Sequence, residues 1–181
     1  MDLLSKLNKG LRFGGGASSG TLIHENEQAI LDAATQLLNN SATGAQLLNF
    51  AAQNGIKMHV LRNKTDIGYV AAESMAYIST PAGQSMPGMR AVIHLAGALR
   101  RAQQETIPGL KTPKSALFTP KDQYVTTMLA KDKDVLMTQT VVVYEISKVN
   151  GLSEIVDEFA AMGYLSLYKA HQEDMKSQGL E

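Results

Sequence analysis

Ile93-His94-Leu95-Ala96-Gly97-Ala98-Leu99-Arg100-Arg101-Ala102-Gln103-Gln104 reads as the heart of an amphipathic helix running from Met89 to Gln104. At about 100° per residue, Met89, Val92, Ile93, Ala96 and Leu99 form one apolar arc. Arg100 and Gln103 fall inside that arc, while Gly97 and Arg101 sit together on its flank, one turn apart. His94 projects about 140° from Met89, away from the core side, and no carboxylate lies three or four residues from it.

Upstream of this helix the pattern alternates between helix and strand. Glu25 to Leu38 places Ile30, Leu31, Ala34, Leu37 and Leu38 on one face, which predicts a helix ended by Asn39-Asn40. Ser41 is a capping residue for a second helix through Ala52, stopped at Asn54-Gly55. Ile56, Met58 and Val60 then alternate with Lys57, His59 and Leu61, the period of a half-buried strand with His59 on its polar side. Asn63 to Asp66 is turn chemistry. Tyr69-Val70-Ala71 and Ala76-Tyr77-Ile78 read as two short strands of a hairpin around Glu73-Ser74, and Pro81 to Gly88 as a loop into the central helix.

Downstream, Glu105 to Thr119 is a long connection rich in proline and lysine. Thr119-Pro120-Lys121-Asp122 is a strong helix start, with a capping threonine and proline in the first turn. The helix it opens can run from Pro120 to about Val149, until Asn150-Gly151 breaks it, a length of roughly 40–45 Å. Its apolar face is Val125, Met128, Leu129, Val135, Leu136, Val142, Val143 and Ile146, with Asp132 and Gln139 in the middle. A charge on a buried face is costly unless paired, so Asp132 asks for a cation. A last helix is expected from Ser153 to Asp174, with Gly163 the weak point in its continuity.

Composition bounds what this architecture can do. The 181 residues suffice for one domain with a real core. Lys plus Arg and Asp plus Glu number 17 each, so no net field recruits nucleic acid or an anionic membrane. With no cysteine there is no disulfide framework, thiolate metal site or cysteine nucleophile. His24, His59, His94 and His171 are scattered, and no two lie one turn apart. No apolar run approaches the ~18 residues of a membrane span, and no signal peptide is visible. The expected organisation is a flexible segment over 1–22, with Leu3, Leu4, Leu7 and Leu11 before a Gly-Ser-rich linker, a single domain over 23–175, and a tail over 176–181. A cytoplasmic location is the expectation.

Three segments together resemble a bacterial family of zincin-like metallopeptidase domains of otherwise unknown function. Asn40-Ser41-Ala42-Thr43-Gly44-Ala45-Gln46-Leu47-Leu48, running into Ala51-Ala52-Gln53-Asn54-Gly55-Ile56, is similar to that family's first helix-to-strand passage. Leu95-Ala96-Gly97-Ala98-Leu99-Arg100-Arg101-Ala102-Gln103-Gln104 is similar to its L-A-H-E-L-R-H-A-x-Q. Asp132-Lys133-Asp134-Val135 stands where the family has E-A-D-A, between Phe118-Thr119-Pro120 and Tyr144-Glu145-Ile146. The resemblance covers Glu25 to Gly151 and implies an α+β, zincin-like fold: mainly helical, with about three short strands and a long helix in the C-terminal half.

The departures from the family pattern carry the functional expectation. Gly97 and Arg101 replace both histidine ligands, Ala98 replaces the general base, and Asp132 replaces the third ligand, a glutamate. One carboxylate cannot hold catalytic zinc, which needs about three protein ligands and an open position. The resemblance therefore implies an inactive metallopeptidase-like domain without metal or cofactor, acting as a binding or scaffold protein for a protein or peptide partner. Its remnant site would comprise Gly97, Ala98, Arg100, Arg101, Gln104, Asp132 and Gln139. Arg101, or Arg100, would pair with Asp132 where the metal once lay. Two alternatives stay open. One is a hydrolase with a non-standard site, although no G-x-S-x-G elbow or Walker-type loop exists. The other is an anion or nucleic-acid binder using Arg90, Arg100, Arg101, Lys111, Lys114 and Lys121, which lack interleaved aromatics for stacking bases.

Overall fold

Ser41 joins the first two helices by serving both. Its hydroxyl donates to Leu38 O at 3.2 Å, closing helix α1 (Thr21–Leu38), and accepts from Gly44 N at 2.8 Å, opening α2 (Ala42–Gln53). The turn is tight enough that a Cβ on Gly44 would lie 2.1 Å from Leu38 O, so only glycine fits. Gly55, at φ +62°, ends α2, and Ile56 N reaches back to Ala51 O at 2.9 Å. The structure, a computed structural model, describes residues 21–62, 66–80, 86–111 and 120–180. The segment expected to be flexible over 1–22 therefore lies outside the described residues except where α1 begins, at Thr21. Most of the turn at Asn63 to Asp66, most of the loop after Thr80 and the Thr119 cap also lie outside them.

Three short strands follow. β1 (Lys57–Arg62) alternates between exposed and partly buried residues, and His59 is exposed. β2 (Gly68–Val70) and β3 (Met75–Thr80) form the expected hairpin, turned by a 3₁₀ segment at Ala71–Glu73 and by Ser74 in the left-handed region at φ 48°. The sheet order is β1-β3-β2, with β1 parallel to β3 and β2 antiparallel to it. β3 is thus the middle strand, and Ala76 to Thr80 are buried.

Helix α3 (Gly88–Thr106) is the centre of the fold. Val92, Ile93, Ala96 and Leu99 of the predicted arc are buried and Met89 is partly so, but Ala91, Leu95, Ala98 and Ala102 on its other sides are buried too. The reason is enclosure, because α1, α2, the sheet, the long helix and the helix after it all pack on it. Helix α4 (Lys121–Asn150) is one unbroken 30-residue element, ended by Gly151 at φ +61°. Its second half joins the core through Val142, Val143 and Ile146. Glu145 on α4 accepts from Thr43 N and Thr43 Oγ1, both at 2.9 Å, placing a carboxylate at the positive end of α2.

Two expectations need correction. Val125 and Leu129, assigned to the apolar face of α4, are 45% and 56% exposed. The helix period continues past the end of the body, and no described residue covers it there. The single last helix is in fact two, α5 (Ser153–Ala161) and α6 (Leu165–Ser177). Gly163, at φ +90°, turns the chain between them, with Tyr164 N bonded back to Phe159 O. α6 also takes in Lys176 and Ser177 from the expected tail. Among the described residues no helix is long and apolar enough to cross a membrane. The architecture is α+β and mostly helical, with a small three-stranded sheet.

Candidate functional site

Where α3 crosses α4, two apolar helices meet through a polar seam. On α3, Gly97 and Gln104 lie on nearly one line, seven residues apart, with Arg100 and Arg101 on opposite sides of it. On α4, Lys131, Val135 and Gln139 form the facing line, with Asp132 and Asp134 on its two sides. Consecutive arginines and alternate aspartates therefore clasp the seam from both flanks. Arg101 Nη2 donates to Asp132 Oδ1 at 2.9 Å, the pair expected from the sequence. Arg100 donates twice to Asp134, from Nε at 2.7 Å and Nη2 at 2.9 Å, and its Nη1 reaches Gln103 at 2.8 Å.

The second pair is the stronger of the two, and the sequence reading missed it. A two-bond guanidinium–carboxylate fork holds its geometry better than a single bond. Asp134 also accepts from Gln104 Nε2 at 2.6 Å. Burial pushes the Asp134 carboxyl up, but the hydrogen bonds from Arg100 and Gln104 and the Arg100 charge outweigh it and hold it below the usual carboxylate range. The D-x-D spacing at 132–134, facing Arg-Arg at 100–101, is the signal that could have found the second pair.

Asp132 itself is corrected: its side chain is 53% exposed, not buried in an apolar face. At that point α4 is leaving the body, and the face opens into a cleft. The buried polar side chains of the seam are Gln139, Gln104 and Lys131. Gln139 Nε2 donates to Ile93 O at 2.9 Å across the backbone of α3. Gly97 makes that possible, since a Cβ there would come within 2.6 Å of Gln139 Nε2 and 2.5 Å of Ile67 Cδ1. Gln104, 3% exposed, also donates to Lys131 O at 3.0 Å, and Lys131 Nζ meets Glu105 at 2.5 Å. Ala98 is fully buried in the core, turned away from any solvent-facing chemistry.

Two clefts open beside the seam and share Asp66, Ile67 and Arg101. The larger, about 470 Å³, runs between Tyr69, Tyr77, Gln104 and Lys131. The smaller, about 390 Å³, is bounded by His94, Asp132, Leu136 and Tyr164. Tyr77 donates its hydroxyl proton to Asp66 Oδ2 at 3.2 Å, and burial together with the Asp66 charge pushes the phenol up. His94 is a second correction. It faces the smaller cleft rather than away from the core, with its Nδ1 buried and without a partner. Desolvation, helped by the Arg90 charge, pushes the imidazole down to about 4, so it is neutral near pH 7.

The donor set does not suit a metal ion. Among the described residues no three His, Asp or Glu side chains converge. The space above Gly97, where the resemblance implies a ligand, is filled by the Gln139 amide. The cations proposed for an anion site are also largely neutralised: Arg90 pairs with Glu158 at 2.5 Å, Arg100 with Asp134 and Arg101 with Asp132. Lys111 and Lys121 are exposed, and Lys114 lies outside the described residues. Compared with known protein families, curated proteins and solved structures, the chain shows no match.

Proposed function

We propose that this protein is a non-catalytic binding domain on a metallopeptidase-like scaffold, with a protein or peptide partner seated in the cleft beside the α3–α4 seam. The observation that carries the reading is the closed seam at Gly97. There Gln139 bonds directly to the backbone of α3, in the space a ligating side chain would need. Hydrolysis by a zincin requires about three protein ligands, an activated water and a base. This seam offers two amides and three ion pairs, and those groups hold helices together rather than activate water. What remains beside it is a concave, partly polar surface on rigid elements, the ordinary substrate of recognition.

The test is a paired measurement on pure protein. After dialysis, zinc by elemental analysis should fall far below one per chain, and a quenched-fluorescence peptide library should not be cleaved with or without added Zn²⁺. About one zinc per chain together with zinc-dependent cleavage would overturn the reading.

A further inference from the structure

A groove of about 660 Å³ runs between α1, α2 and β1, and it shares no residue with the two clefts beside the seam. Its floor is apolar: Leu31 from α1, Leu48 and Ala52 from α2, and Met58 from β1. Leu31 is buried, Leu48 and Met58 are partly buried and Ala52 is exposed, so the floor is reached from outside. Asp32 is the one charged side chain in the lining. The two helices that form most of the groove carry Glu25, Glu27 and Asp32 and no lysine or arginine. Arg62 takes up Glu27 at 2.6 Å, but no cation lines the groove itself.

The stretch of sequence before α1 has the complementary pattern. At helical spacing Leu3, Leu4, Leu7 and Leu11 fall within one arc of about 100°, the width of the apolar stripe of a surface helix. Lys6, Lys9 and Arg12 fall off that arc, and Asp2 is the only acid before Glu25. The stripe from Leu3 to Leu11 would be about 12 Å long, against about 16 Å of groove between Gln28 and Asn39 on α1. The tether also fits. Gly14-Gly15-Gly16-Ala17-Ser18-Ser19-Gly20 leads from the stripe to Thr21, where α1 begins. Seven residues of that composition span about 15 Å root-mean-square and about 24 Å at full stretch. The near end of the groove, at Gln28, is about 10 Å along α1 from Thr21. A tether this short keeps the stripe at a local concentration of millimolar order, so a weak contact is enough to populate docking.

We infer that residues 3–11 of this chain dock in the groove as a short amphipathic helix, with their leucines on the floor of Leu31, Leu48 and Met58 and their cations at the acidic rim. This surface lies apart from the cleft assigned to a partner, and the inference does not rest on that reading. The chain has no cysteine, so Ser5→Cys, on the side away from the leucines, carries a nitroxide as its only label. Methionine methyls of the full chain are ¹³C-labelled, and Met58 is assigned by its loss in Met58→Leu. The nitroxide should broaden Met58 more than Met128 and Met162, which line the two clefts beside the seam. Adding Leu7→Ser should weaken docking about tenfold, the scale of one leucine withdrawn from a partly apolar site, and should restore most of the Met58 signal. Asp32→Asn should weaken it about twofold, the scale of one exposed ion pair. Uniform broadening, or a Met58 signal that the nitroxide leaves alone, would mean the groove does not hold the stripe and would overturn the inference. Broadening that Leu7→Ser leaves unchanged would reflect the tether alone and would overturn it too. When nitroxide-bearing chains are mixed with ¹³C-labelled chains that lack the nitroxide, Met58 should stay sharp. Broadening there would seat the stripe of a second copy in the groove and overturn docking within one chain.

Discussion

The two halves of α4 have the same apolar period and opposite fates. From Val135 to Ile146 the face is core, with Val142, Val143 and Ile146 fully buried; from Lys121 to Leu129 the same face stands half open to solvent. Where they meet lies the polar seam of Lys131, Asp132 and Asp134, with Gln139 one turn into the buried half. Periodicity reports which side of a helix is apolar, but not how far along the helix the rest of the protein extends. The seam sits at that limit, where packing gives way to cleft, and three ion pairs and both buried glutamines are found there.

The largest expected effect tests the contrast directly. Ile146→Ala should cost about 3–4 kcal/mol of unfolding free energy, within the range for a fully buried Ile or Leu truncation. Leu129→Ala, on the open half, should stay within about 0.5 kcal/mol. Chemical denaturation of both variants checks this, and equal losses would mean the first half is covered after all.

Next in size is the pH dependence that His94 imposes opposite the seam. Its folded pKa of about 4 lies below the ordinary histidine value of 6.5. Between those values the unfolded chain takes up a proton that the folded chain refuses. The contribution is therefore fully present above about pH 6.5 and is lost as pH falls towards 4, by at most roughly 3 kcal/mol at 1.36 kcal/mol per unit. His94→Gln should flatten the stability profile across that window, and an unchanged slope would show that His94 is not desolvated.

At the seam itself, Gly97→His should cost about 2 kcal/mol, because the new side chain must displace Gln139 and Ile67. Adding Gln139→Ala should recover part of that loss, since it removes the group that the histidine strikes. Strictly additive losses in denaturant titrations would deny that the two positions compete for one space.

The smallest effects separate the two flanks of the seam. Asp134→Asn should cost about 1–2 kcal/mol, discounted for the partial exposure of the pair, and Asp132→Asn about 0.5 kcal/mol or less. In double-mutant cycles the Arg100–Asp134 coupling should exceed that of Arg101–Asp132. The reverse order would mean that the single-bond pair is the one holding the helices.

Much of the local structure was legible from residue type alone. Ser41, Asn54-Gly55 and Gly151 end or begin helices because a hydroxyl cap and a left-handed glycine act within one turn of chain. α3 and α4 were readable because their apolar spacing is regular over several turns, and the Arg101–Asp132 contact was expected from the resemblance. Less was legible where one element meets another. That Gly97 is a close approach, that His94 is desolvated, that Asp134 rather than Asp132 takes the two-bond fork, and that Val125 and Leu129 are left open all depend on what lies across the gap. A sequence fixes the angles around one helix axis, whereas burial, pairing and cleft shape are set by the crossing of two helices and by where each one outlasts its neighbour. Only the packed structure contains those distances, and they decide which side chains bond to each other and which are left to bind a ligand.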